Sequence, residues 1–257
     1  MQEALYRRAN QFLKGCHYTE AILCFSICYL CGNRTQDCVG ALSESLAITG
    51  HRRLAMQILQ KYNKMYDLQF SIGWVYSLLG NHEEAIKIYE KLIEKTTSLS
   101  QPINYKLLAN LIEEYRFSDR IQDALHLIQT YIEGKSLSDD CPAYLYYNVG
   151  CAFEQAQEHA NALRYYDLAK EHGFDDITRL AHNIGISYIG LKDYPAALEQ
   201  FTFALQLSSK ADRAVELLAV GRTYKDMGDD NKARQYLIQS AKIGNKKAKE
   251  ELASDTR

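Results

Sequence analysis

The 257 residues are 47% hydrophobic and 24% charged with a formal net charge of −2, an ordinary globular balance that excludes a disordered chain. Three prolines and 14 glycines leave few helix breaks and argue against a turn-rich all-β fold. The densest basic stretch, Lys246 to Lys249, is closed by Glu250 and Glu251, so no positive stripe for nucleic acid is visible, and no run of about 18 apolar residues could span a bilayer.

The first segment, Met1 to Asn10, carries Glu3, Arg7 and Arg8 where a signal peptide would be apolar. It is expected to be mature helix, and the seven cysteines to be reduced thiols of a cytoplasmic protein. In chain order, seven predicted helix pairs then follow one another. The first, roughly 2–35, carries Ala9 and Phe12 on its leading helix and Ala21 and Phe25 on its second. The same four slots hold Ser43, Leu46, Ala55 and Leu59 in 36–65, and Gly73, Tyr76, Ala85 and Tyr89 in 66–104. They hold Ile112, Tyr115, Ala124 and Ile128 in 105–142, and Gly150, Phe153, Ala162 and Tyr166 in 143–177. The last two pairs, 178–213 and 214–244, give Gly185, Tyr188, Ala197 and Phe201, then Gly221, Tyr224, Ala233 and Leu237. A short capping helix, 245–254, is predicted to cover the final pair with Ala248 and Leu252.

The recurring alanines are separated by 34, 30, 39, 38, 35 and 36 residues. A small residue on the leading helix lets the second approach closely, and a large side chain fills the remaining gap. Gly50, Gly80 and Gly228 are predicted to end leading helices in the left-handed conformation. Pro102, Pro142 and Pro195 fall near predicted helix starts. The long spacings before Ala124 and Ala162 are assigned to the turns at 98–104 and 134–142. No linker divides the chain, so one domain over 1–257 is expected.

These slots resemble the tetratricopeptide repeat, two antiparallel helices in about 34 residues. Residues 73–92, 185–205 and 221–237 resemble it most closely; Ser43, Leu46 and Ile112 depart from it. The resemblance implies an all-α, right-handed superhelical solenoid whose leading helices line a concave groove. It also implies a non-catalytic scaffold or adaptor that binds an extended segment of a partner protein. A chaperone for secreted or assembling proteins is the alternative within the same fold.

Outside that resemblance the chain offers a few cysteine, histidine and carboxylate groupings. Cys24, Cys28 and Cys31 match an iron–sulfur cluster spacing, but they fall at i, i+4 and i+7 of one helix and cannot converge as a loop does. A zinc site from Cys16, His17, Cys24, Cys28, Cys31 and Cys38 fits no common finger. Packing thiols are the simpler account, although a cysteine-rich metal protein is kept as a third reading. His51, His82 and His159 are read as solvated turn residues. Glu83-Glu84 and Asp229-Asp230 open second helices, where carboxylates suit the positive dipole end. No catalytic residue, cofactor or metal ligand is assigned.

On leading helices a helical stripe, positions 2, 6, 9 and 13 of each repeat, is expected to face the groove. Position 6 is Asn110, Asn148 and Asn183 in the fourth to sixth repeats. Asparagines in register resemble the ladders of peptide-binding members of the family. Each amide can both donate to and accept from a peptide backbone, at about 1 kcal/mol per hydrogen bond. The alternative is that asparagine is simply a polar groove residue. Lys106, Tyr144, Tyr147, Arg179, His182 and Arg222 stand around them as aromatic and cationic anchors. The expected partners are proteins, with no nucleic acid and no membrane insertion. Self-association through the uncapped first repeat, around Leu5, Phe12 and its cysteines, is a further expectation.

Overall fold

A helix stops cleanly where the next residue takes the left-handed conformation, and this chain does so seven times at one spacing. Five residues before each recurring alanine stand Cys16, Gly50, Gly80, Asp119, Gln157, Lys192 and Gly228, all with φ between 57° and 90°. The residue after each donates its N–H to the carbonyl of the large residue nine before the alanine, at 2.8–2.9 Å in all seven turns. The orphan carbonyls of the helix end are thereby satisfied. Glycine reveals three of these turns; four carry a side chain.

A computed structural model describes residues 2–63, 67–135, 137, 141–209 and 212–254. Its helices are α1 (Gln2–Lys14), α2 (Tyr18–Leu30), α3 (Gln36–Ile48), α4 (Arg52–Tyr62), α5 (Gln69–Leu78), α6 (His82–Ser98), α7 (Tyr105–Phe117) and α8 (Ile121–Tyr131). They continue as α9 (Ala143–Gln155), α10 (His159–Glu171), α11 (Ile177–Gly190), α12 (Tyr194–Leu207), α13 (Arg213–Asp226), α14 (Asp230–Ile243) and α15 (Lys246–Ser254). No strand occurs among the described residues, so the fold is all-α. Side-chain caps start several helices: Thr35 accepts from the Cys38 amide, Asp193 from Ala196 and Asp229 from Lys232.

The chain forms two compact units, 1–124 and 125–257. In the first, α1, α3 and α5 pair with α2, α4 and α6 around a core that includes Phe25, Val39, Leu59 and Val75. In the second, α9, α11 and α13 pair with α10, α12 and α14, and α15 packs on α14. The pairs close on the slots that the sequence marks. A Cβ added to Gly73 would lie 2.6 Å from the Tyr89 ring; at Gly150 it would meet Tyr166 at 2.5 Å, and at Gly185 Phe201 at 2.6 Å. At Gly221 the neighbour is Leu237 at 3.2 Å. Ala248 of α15 is fully buried against Leu218 and Leu237, with Leu252 beside it.

Three details differ from the sequence expectations. α6 runs 17 residues to Ser98, so much of the long spacing before Ala124 is taken up by helix. The corresponding turn at 134–142 lies partly outside the described residues. His82 is not a solvated turn residue: its Nδ1 lies 2.8 Å from Oε2 of Glu114, a carboxylate 1% exposed. The His159 ring packs under Gly190, where a Cβ would meet it at 2.1 Å. In both cases the first residue of a second helix reaches the next leading helix, a contact that spacing within one repeat does not disclose. The cysteines divide as well. Cys24, Cys28 and Cys38 are buried and Cys16 and Cys31 exposed. Burial raises the Cys28 thiol and pushes Cys38 up to about 11.

Candidate functional site

The stripe on the leading helices is the place to look for binding, because it carries side chains the helix pairing does not consume. In the first unit several of its polar members are paired with one another, its apolar members Ala41, Trp74 and Leu78 pack against the core, and Phe117 is 58% exposed. Ser71 on α5 donates to a Glu44 carboxylate oxygen on α3 at 3.0 Å. Burial raises the Glu44 pKa, while the Ser71 hydrogen bond and the charge of Lys106 pull it down. Lys106 is exposed in the first turn of α7, and Asn110 on the same helix donates to the Tyr89 hydroxyl at 3.5 Å. Asp67 is paired with Lys95 at 2.8 Å.

In the second unit the predicted residues are drawn into two groups. Tyr147 is buried with its ring stacked on Phe174, centroids 4.4 Å apart. Its hydroxyl accepts from the Asn183 amide at 2.8 Å, and that amide also approaches the Cys151 sulfur at 3.3 Å. Asn148 is only 5% exposed and Tyr144 half-buried. The amide nitrogen of Asn183 is therefore engaged by its own fold, and its carbonyl is the end left to meet a ligand.

The other group lines open surface. His182 on α11 places Nδ1 2.9 Å from Oε2 of Glu216, a buried carboxylate on α13. Its ring also rests on Phe201. Arg222 on α13 donates through Nε to Glu251 of α15 at 2.7 Å. Between them lies a groove of about 610 Å³, its floor formed by Ile186, Ile189, Val215, Leu218 and Ala219 and one end by Asn245, Lys246 and Lys247. Arg179 borders an adjacent polar recess of about 430 Å³ and pairs with Asp176 at 3.1 Å.

Of the residues read from the sequence, His182 and Arg222 line this groove; its apolar floor and two lysines were not among them. A signal existed: Ile186, Val215 and Ala219 occupy positions 9, 2 and 6 of their repeats, the same stripe as the asparagines. Apolar residues in that register read as core by type, whereas polar ones read as anchors. Val215 is 47% exposed. On α2, Leu23 and Leu30 are 62% and 77% exposed, while Leu5 and Phe12 of α1 are half-buried against the core. No helix is long and apolar enough to cross a membrane, and no group of three or more metal-ligating side chains occurs among the described residues.

The family model described as tetratricopeptide repeat matches residues 66–94 and 217–243. The photosystem I assembly protein Ycf3 of Synechococcus elongatus is 29% identical over an alignment of 106 positions that covers 38% of this chain; the chain spans 61% of that relative's length. Among solved structures, the APC/C hetero-tetramer Cut9–Hcn1 matches 91% of this chain and 51% of that one at 14% identity, with a TM-score of 0.62. A tetratricopeptide repeat protein from Parabacteroides merdae matches 97% of this chain and 96% of its own at 13% identity, TM-score 0.59. MamA matches 69% and 97% at 21% identity, TM-score 0.54.

Proposed function

Because the chain is built of tetratricopeptide repeats, we propose that it is a non-catalytic, cytoplasmic interaction protein that holds an extended segment of a partner against the stripe of its leading helices. The observation that carries this reading is the open groove on α11, α13 and α15. It gathers an apolar floor, including the 47% exposed Val215, with a few polar groups in one concave site. The asparagine ladder has a reduced part in it: Asn183 can offer a carbonyl to a peptide N–H, whereas Asn148 is held within the fold.

The test is affinity purification with mass spectrometry of the unaltered chain beside an Ile186→Ser, Val215→Ser variant. Both side chains line the groove and neither is fully buried, so the variant should fold while losing partners that use the groove. An identical set of captured proteins would remove the reading. Asn148→Ala with Asn183→Ala is a poorer test, since it also strips packing from α9 and α11.

Similarity to a photosystem I assembly protein favours a second reading, an assembly factor that leaves its client. The two separate in a pulse–chase capture: a scaffold partner persists, and a client is released as its complex matures. Self-association through α2 belongs to the same proposal. Leu23→Ser with Leu30→Ser should lower the mass seen by light scattering, and an unchanged mass ends that part.

A further inference from the structure

The groove of the second unit also has a charge, and the charge selects its ligand. Lys246 and Lys247 stand exposed at the start of α15, with no carboxylate at ion-pair distance among the described residues. The dipole of α15 adds positive potential at the same end, where Asn245 caps the helix by accepting from the Ala248 amide. Arg222 forms part of the wall. Against these the lining sets a single acid, Asp226, because Glu216 is buried against His182. The floor between the charges is aliphatic.

Glu251 supplies a second, independent observation. It reaches from α15 to Arg222 and accepts from both Nε and Nη2 of the guanidinium. The chain thus places one of its own carboxylates where a ligand's would be held.

Resting on the peptide-binding reading above, we infer that this groove takes an extended, acidic segment of a partner protein in which apolar side chains alternate with carboxylates. Successive side chains of an extended chain point to opposite sides. One set can enter the Ile186, Val215 and Ala219 floor while the other reaches Lys246, Lys247 and Arg222. Engaging Arg222 requires displacing Glu251, so the chain's own carboxylate competes with the ligand.

The experiment uses fluorescence anisotropy with the full chain and three short, terminally blocked peptides that alternate leucine with glutamate, glutamine or lysine. The glutamate peptide should bind about tenfold more tightly than the lysine peptide, and lose that advantage as salt is raised. Lys246→Glu with Lys247→Glu should reverse the order. Glu251→Gln should tighten the glutamate peptide about threefold, weaken the lysine peptide and change the glutamine peptide least. Val215→Asp should weaken the glutamate peptide about tenfold. All substituted side chains are at least partly exposed, and unchanged melting by circular dichroism confirms folding. Equal binding of the three peptides, or preference for lysine, with Val215→Asp still weakening them, overturns the acidic ligand and leaves the groove reading standing. Binding by none of them, or binding untouched by Val215→Asp, overturns both.

Discussion

The stripes of the two units sit on the same kind of helix pair and differ in what they leave unspent. In the first unit the polar members are answered, Glu44 by Ser71, Asp67 by Lys95 and Asn110 by Tyr89, and the apolar Trp74 and Leu78 are spent on the core. In the second, Ile186, Val215 and Ala219 line open space beside lysines without an acid partner among the described residues. The backbone turn is the same in both, down to the 2.8–2.9 Å hydrogen bond after each left-handed residue. The difference teaches that the repeat supplies a frame, and that a few side chains per leading helix decide whether the frame has anything to offer a partner.

The largest effects should fall on the frame and be alike in both units. Gly73→Ala and Gly150→Ala each force a methyl into a tyrosine ring at 2.6 and 2.5 Å, and should each cost about 1–3 kcal/mol in thermal unfolding. Gly221→Ala meets Leu237 at 3.2 Å and the Ala233 carbonyl oxygen at 3.3 Å and should cost less than either, since both contacts are longer and alanine also favours the helix by about 1 kcal/mol. A tolerated Gly73→Ala beside a damaging Gly150→Ala would break the claim of a shared frame.

The next effects probe the two buried carboxylates. Glu114→Ala in the first unit and Glu216→Ala in the second each strip a histidine of its partner, at about 1 kcal/mol in denaturant unfolding, because both imidazoles are partly exposed and can turn to water. Only Glu216→Ala should also alter peptide binding, since only His182 lines the groove. An effect of Glu114→Ala on binding of the leucine–glutamate peptide would contradict that division.

Smaller gains should come from the four turns that carry a side chain. Lys192→Gly and Asp119→Gly, one in each unit, should each stabilise by about 0.5 kcal/mol by relieving the left-handed backbone, measured by melting temperature. The smallest shift belongs to Glu44→Gln. Burial raises the native pKa of Glu44, so its protonated form favours the fold and that contribution is lost as pH rises through the native value. Glu44→Gln should therefore raise the melting temperature slightly at neutral pH and have no effect in acid, where Glu44 is already neutral. A fall at neutral pH would show that the Lys106 charge outweighs burial.

Repeats, pairing slots and three of the turns were legible from residue type and spacing, because Gly73, Gly150 and Gly185 face Tyr89, Tyr166 and Phe201 within a single repeat. The other turns were hidden behind Cys16, Asp119, Gln157 and Lys192, residues that adopt positive φ only because the closing hydrogen bonds hold them there. The site was half legible. His182 and Arg222 stood out as polar anchors, whereas the floor at Ile186 and Val215 resembles core in sequence.

By itself the sequence determined the all-α class, six of the helix pairings it predicted and the small-against-large contacts within them, since each depends on residues fewer than about two helix lengths apart. Only the tertiary structure decided which polar side chains were already taken. Asn183 is claimed by Tyr147, 36 residues earlier, His182 by Glu216, 34 later, and Arg222 by Glu251, 29 later. Those distances in sequence are one repeat, and which side chain of the next repeat comes within hydrogen-bond reach is set by how consecutive pairs stack.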